Sequence, residues 1–211
     1  MNKKKAILSI VCNALIVAFT FLAILNYFVT IWQENLQGAK CFRYFTIDSN
    51  ILCAITSIFM IVGAIKYLNG KKVPYYFTIL KFVGTSAVML TFLTVCFFLY
   101  PFNASLGLYF FFGGSGFFLH FFCPVLALVS LVFFEKYENV SKKSTIFAML
   151  PILVYGTVYV ICVWFTKVWP DIYGFTFGYK VIITPVIVML LFQYGIIWGV
   201  YGLTQIKSKR Q

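Results

Sequence analysis

FVGTSAVMLTFLTVCFFLYPFNASLGLYFFFGGSGFFLHFFCPVLALVSLVFF, running from Phe82 to Phe134, contains no Asp, Glu, Lys or Arg. A membrane-spanning helix needs about 20 mostly apolar residues, so a run of this length holds two spans rather than one. Pro101-Phe102-Asn103-Ala104-Ser105 and Gly113-Gly114-Ser115-Gly116 supply the punctuation, because clustered Pro, Gly, Asn and Ser favour turns and loops. The run therefore divides into helices over 74–100 and 116–134, with a loop between them.

Working outward, the same reading of gaps between charges finds helices over 6–32, 46–68, 144–167 and 180–206. Six helices occupy nearly all of the 211 residues, of which 62% are apolar and only 10% charged. A soluble domain carries roughly 25% charged residues, so this chain cannot coat a globule. The expectation is an all-α integral membrane protein, a six-transmembrane-helix bundle forming one domain over 1–211. Lys3-Lys4-Lys5 ahead of an apolar run resembles the opening of a signal peptide. That class has an apolar segment of only about 7–15 residues, whereas this one continues to Trp32, so the first helix is expected to be retained.

Positive residues predict the orientation. With the N-terminus in the cytoplasm, Lys3, Lys4, Lys5, Lys66, Lys71, Lys72, Lys81, Lys136, Lys142, Lys143, Lys207, Lys209 and Arg210 fall inside, against Lys40, Arg43, Lys167 and Lys180 outside. Short loops rich in Lys and Arg stay in the cytoplasm, which puts both termini there. The net charge of +12 then serves topology and attraction to anionic inner-leaflet lipids. A nucleic-acid surface needs a basic face on a folded domain, and six spans leave no room for one. The richness in Lys, Asn, Ile, Phe and Tyr points to an AT-rich bacterial genome, hence a bacterial cytoplasmic membrane.

Cofactor and metal classes are thinly served. Cys12, Cys53, Cys96, Cys123 and Cys162 fall within spans, where thiols pack as small apolar groups, and Cys41 in an outer loop has no loop partner. One histidine and no Cys-x-x-Cys spacing make a zinc site improbable. No phosphate-binding loop and no internal repeat is recognisable. Asn103-Ala104-Ser105 and Asn139-Val140-Ser141 match the short glycosylation pattern, the second on the cytoplasmic side.

Polar groups inside a membrane are costly and mark function or interhelical contact. The densest set opens the second helix: Arg43-Tyr44-Phe45-Thr46-Ile47-Asp48-Ser49-Asn50. Thr46, Ser49 and Asn50 share a face, being three and four residues apart, with Asp48 about 160° away. Thr46 or Asp48 would also serve as an ordinary helix cap. The second exception is His120, about one turn into the fourth helix, where a structural bond to another helix competes with a catalytic role. Both helices run inward from the outer side, so Thr46 and His120 are expected at similar depth. Gln193 reads as an interhelical link. Asp171, Tyr173, Tyr179 and Lys180, with Trp32, Trp164 and Trp169, read as an interface belt. Lys81 is expected to snorkel to the inner surface, and Pro124, Pro151 and Pro185 to bend their helices.

Phe45-Thr46-Ile47-Asp48-Ser49-Asn50-Ile51-Leu52 and Leu119-His120-Phe121-Phe122-Cys123-Pro124, together with helix number and chain length, resemble the family of androgen-induced and androgen-dependent six-helix membrane hydrolases. The resemblance extends over essentially the whole chain on two short motifs. It implies a threonine–histidine pair that hydrolyses fatty acid esters of hydroxy fatty acids or a related acyl lipid, with Thr46 as nucleophile and His120 as base. A hydroxyl needs such a base to attack, and Ser49, Asn50 and first-turn N–H groups are candidate oxyanion donors. Arg43 is a candidate for holding a lipid phosphate or carboxylate. No carboxylate is placed to orient His120, which makes a dyad the simpler expectation. Two other classes remain open: a small transporter or channel, and a non-catalytic lipid-binding subunit. The concentration of polar residues at the outer ends argues against transport, which favours polar groups near the midplane.

Overall fold

The computed structural model describes residues 2–33, 38–135, 137–177, 180–181 and 183–206, with backbone only for Tyr27 and for 30–33, 38–39, 176–177 and 180–181. Lys136, Tyr179, Lys207, Lys209 and Arg210 lie outside the described residues, as do the side chains of Trp32 and Lys180.

Among the described residues, six helices are long and apolar enough to cross a membrane. They are α1 (Lys3–Gln33), α2 (Phe45–Leu68), α3 (Tyr75–Phe102), α5 (Gly114–Phe133), α6 (Ser144–Phe165) and α7 (Ile183–Ile206), with a short α4 (Ala104–Phe112) between the third and fourth spans. A 3₁₀ turn at Gly38–Arg43 leads into α2, and a two-residue ladder pairs Thr176–Phe177 with Lys180–Val181. The loop expected between the third and fourth spans is thus largely helical. Asn103 accepts the Leu106 N–H at 3.1 Å and caps α4, satisfying one of the donors a helix start leaves open. Gly114, with φ of +46°, makes the left-handed break before α5 that a side chain would resist.

Polar side chains are buried among the apolar core, and the exterior is apolar. Phe21, Ile146, Phe165, Ile183 and Leu191 are exposed, while Ser9, Asn13, Thr56, Ser57, Lys81 and Ser130 are buried. In lipid this is the favourable arrangement, because unpaired polar groups cannot face hydrocarbon. The innermost helix is α3, with 56% of its apolar stretch buried against 11% for α6.

Side-chain bonds fix the helix register. Ser9 to Glu135 (3.3 Å), Asn13 to Ser130 (3.4 Å), Thr20 to Cys123 (3.8 Å) and Asn26 to Ser115 (2.9 Å) descend α1 as they climb α5 and its following turn. On the other side, α2 and α3 approach through Gly84. A β-carbon there would stand 2.4 Å from Thr56 Oγ1 and 3.2 Å from the Cys53 Cα. Gly84→Ala is therefore expected to destabilise the bundle by about 1–3 kcal/mol, as overpacking does. Gly156 of α6 has open space around it, and Gly156→Ala should be neutral or stabilising by up to about 1 kcal/mol. Thermal unfolding in detergent checks the opposite signs.

Three of the spans widen into π-helical turns: Val95–Leu99 in α3, Phe117–Phe122 in α5 and Ile161–Phe165 in α6. All three lie at the distal end, away from the start of α1. Such turns are rare and frequently mark functional sites.

Candidate active site

Thr46 does not cap α2. The cap residue is Tyr44, in extended conformation and without a side-chain capping bond, and its carbonyl takes the Ile47 N–H (3.0 Å) and the Asp48 N–H (3.4 Å). The capping role open to Thr46 and Asp48 is thus filled by the main chain. The free N–H of Phe45 goes instead to the Tyr173 hydroxyl at 3.0 Å. Tyr155 donates its hydroxyl proton to the Arg43 carbonyl, and the Tyr159 hydroxyl donates to Asp171 Oδ1 at 2.8 Å. Asp171 and Tyr173, expected in an interface belt, thus join the loop before α7 to α6 and to the start of α2.

Thr46 is half-buried, on the face that also carries the buried Asn50 and Cys53. Asn50 donates from Nδ2 to the Thr46 carbonyl (2.8 Å) and to the Leu119 carbonyl (3.0 Å). One amide therefore ties the start of α2 to the residue before His120. Ser49 donates to the same Thr46 carbonyl at 3.2 Å. Both side chains expected as oxyanion donors are engaged on main-chain carbonyls. The Thr46 N–H, in the first turn where no helical carbonyl is in reach, is the donor left for that role.

His120 sits in the π-turn of α5 and is half-buried. Its ring lies 4.9 Å from that of Phe110 on α4 and near the Thr91 backbone of α3. Nδ1 is buried and has no partner among the described residues. Depth follows from the register: Thr91 is seven residues beyond Gly84, and Thr46 seven before Cys53, on antiparallel helices in contact at Gly84. Thr46, Thr91 and the His120–Leu119 segment thus lie within about one helical turn, roughly 5 Å along the axis. No hydrogen bond joins Thr46 to His120 among the described residues.

Phe110 and Thr91 had no distinguishing sequence signal, since one lies in an expected loop and the other is one threonine among several on α3. Nearby, Cys41 is fully buried with Ala23, Ile47 and Leu119, and it is a free thiol. Burial pushes its pKa above the ordinary thiol value, and the Asp48 carboxylate adds to the shift. Alkylation of Cys41, mapped by mass spectrometry, is expected to be slow at pH 8, where thiolate is scarce. It should accelerate as pH rises past the ordinary thiol range, or on denaturation.

A second polar centre lies toward the opposite face. Lys81 does not snorkel: it is fully buried, donating to Asn13 Oδ1 (2.7 Å) and Ser57 Oγ (2.8 Å). Its helix is the innermost one, so no lipid–water boundary is within reach of the side chain. Asn13 in turn donates to Glu135 Oε1 at 2.5 Å, and Ser130 donates to the same oxygen. Thr78, Lys81, Thr85, Ser86 and Thr91 are all buried along α3, and Gln193 of α7 donates to the Ser86 carbonyl at 3.3 Å. Polar residues therefore run through the bundle instead of gathering at its distal end, contrary to the sequence-based expectation. Comparison of this chain with protein families, curated proteins and solved structures finds no match.

Proposed function

We propose that the chain is an intramembrane hydrolase of lipid esters, with Thr46 as nucleophile and His120 as base. The observation that carries the reading is the unpartnered, buried Nδ1 of His120 at the level of Thr46, since a buried polar atom without a partner calls for a ligand or water. The ester carbonyl enters between them. Thr46 Oγ1 bonds to the acyl carbon as its proton passes to His120, which returns the proton to the departing alkoxide. Water then attacks the acyl carbon and gives a proton to His120, which passes it to Thr46 Oγ1 as the acyl bond breaks and the fatty acid leaves. The Thr46 N–H faces the developing oxyanion, and Arg43 holds a phosphate or carboxylate of the substrate at the interface. The substrate is a fatty acid ester of a hydroxy fatty acid or a related acyl lipid.

Both termini are cytoplasmic in this reading, with the basic N-terminal face on anionic inner-leaflet lipids of a bacterial cytoplasmic membrane and the site in the outer leaflet. A fluorophosphonate probe for serine and threonine hydrolases should label the purified chain, and Thr46→Ala and His120→Ala should each lose the label. Equal labelling of both folded variants overturns the proposal. The polar residues along α3 favour a second reading, a small transporter. Substrate flux into liposomes that survives Thr46→Ala would select it.

A further inference from the structure

His120 Nδ1 is buried without a partner among the described residues, so neither water nor an ester carbonyl reaches it while the surrounding groups stay in place. One of those groups is Phe110, whose ring lies 4.9 Å from the imidazole, and Phe110 belongs to α4. Gly107 is the one buried residue of that helix, while Leu106, Leu108, Tyr109 and Phe112 are exposed. α4 packs on the distal turns of α3 and on the π-turn of α5 through two further features. Gly107 lies against Tyr100 of α3, where a β-carbon would stand 2.5 Å from the Tyr100 Cα. Phe111 holds its ring 6.0 Å from those of Phe92 on α3 and Phe121 on α5.

Both ends of α4 are breaks. Asn103, with φ of −150° and ψ of 89°, interrupts the helical path after α3, and Gly114 at φ of +46° interrupts it before α5. Lids that admit substrate turn on a few such residues at the ends of an element. We propose that α4 is the lid of the site, lifting so that the alkyl chain of a lipid substrate takes the place of Phe110 and Phe111 against His120, Phe92 and Phe121. The wall so uncovered is made of phenylalanine rings, those of Phe92 and Phe121 standing 6.1 Å apart. A hydrocarbon chain matches that wall, where a polar ligand would lose its hydrogen bonds to water without replacement. Leu108, Tyr109 and Phe112, exposed on α4, suit the helix to the hydrocarbon into which it lifts.

The lid rests on the assignment of His120 as the base, but its test reads access to the imidazole rather than turnover. His120 is the only histidine in the chain. Diethyl pyrocarbonate acylates a neutral imidazole, so it reports on this one ring when the protein is purified without a histidine tag.

In nanodiscs, modification of His120, followed by mass spectrometry, should be slow in the full chain and fast after denaturation in dodecyl sulfate. Gly107→Ala drives α4 off Tyr100, and Phe111→Ala removes the ring that rests on Phe92 and Phe121. Each should speed the modification by about tenfold or more, because reaction through a minor open state scales with that state's population. Leu108→Ala, on the exposed side of α4, should leave the rate unchanged. A long-chain dialkyl ether has the chains of an ester lipid and no scissile bond, and it should slow the reaction again in Phe111→Ala; a short-chain ether should not. Equal rates in the folded and denatured chain overturn the lid, as do unchanged rates in both Gly107→Ala and Phe111→Ala, or an equal acceleration in Leu108→Ala. Equal protection by the two ethers, or none by either, overturns the alkyl-chain assignment. Modification rates that follow this pattern while Thr46→Ala hydrolyses esters as fast as the unchanged chain would remove the dyad and leave the lid standing.

Discussion

Replacing Thr46 by alanine is expected to reduce ester hydrolysis by on the order of 10³-fold or more, the usual scale for losing a nucleophile or its base. His120→Ala should cost about the same, and the double variant little more than either alone, because two groups that act as one unit lose their function together. This non-additivity separates a dyad from two residues that only bind lipid, whose losses would multiply. Thr46→Ser keeps the hydroxyl and should retain measurable turnover. Phe110→Ala opens the face of the imidazole that α4 covers, and it should raise KM more than it lowers kcat. Initial rates on an acylated hydroxy fatty acid in mixed micelles provide the measurement. Rates in Thr46→Ala and His120→Ala that match the unchanged chain would dismiss the dyad.

Much of the architecture was legible because charge is so scarce. The gaps between Lys, Arg, Asp and Glu, with the Pro, Gly, Asn and Ser punctuation inside the run 82–134, delimit all six spans to within a few residues, since a charge at the bilayer centre is too costly to place casually. Gln193 was readable as an interhelical link for the same reason. What stayed hidden was lateral order. An apolar helix facing lipid and one facing protein have the same composition, so nothing marked α3 as the innermost helix. Lys81 was consequently expected to snorkel, although six residues separate it from the start of α3 and protein surrounds it. The π-turn that carries His120 was also illegible, because its extra residue per turn leaves no trace in a run of phenylalanines. The start of α2 was read to the correct stretch but not to its correct cap, because Tyr173 reaches it from more than a hundred residues away.

The Lys81–Asn13–Glu135 network should have the largest effect on stability of any feature in the chain. Lys81→Met removes the cation and leaves Glu135 buried against Asn13, Ser9 and Ser130, with no compensating charge hydrogen-bonded into the network. Leaving one buried charge uncompensated in this way typically costs about 3–5 kcal/mol. Glu135→Leu strands Lys81 instead and should cost a similar amount. The double variant carries neither charge, and Met and Leu fill comparable space, so it should recover most of the loss; replacing a buried ion pair by apolar groups is often nearly neutral. Thermal midpoints of the four proteins in one detergent complete the cycle, whose coupling energy isolates the pair. If the two losses simply add, Lys81 and Glu135 are not energetically joined through Asn13. If they cancel, the two charges are dispensable for folding but depend on each other through Asn13.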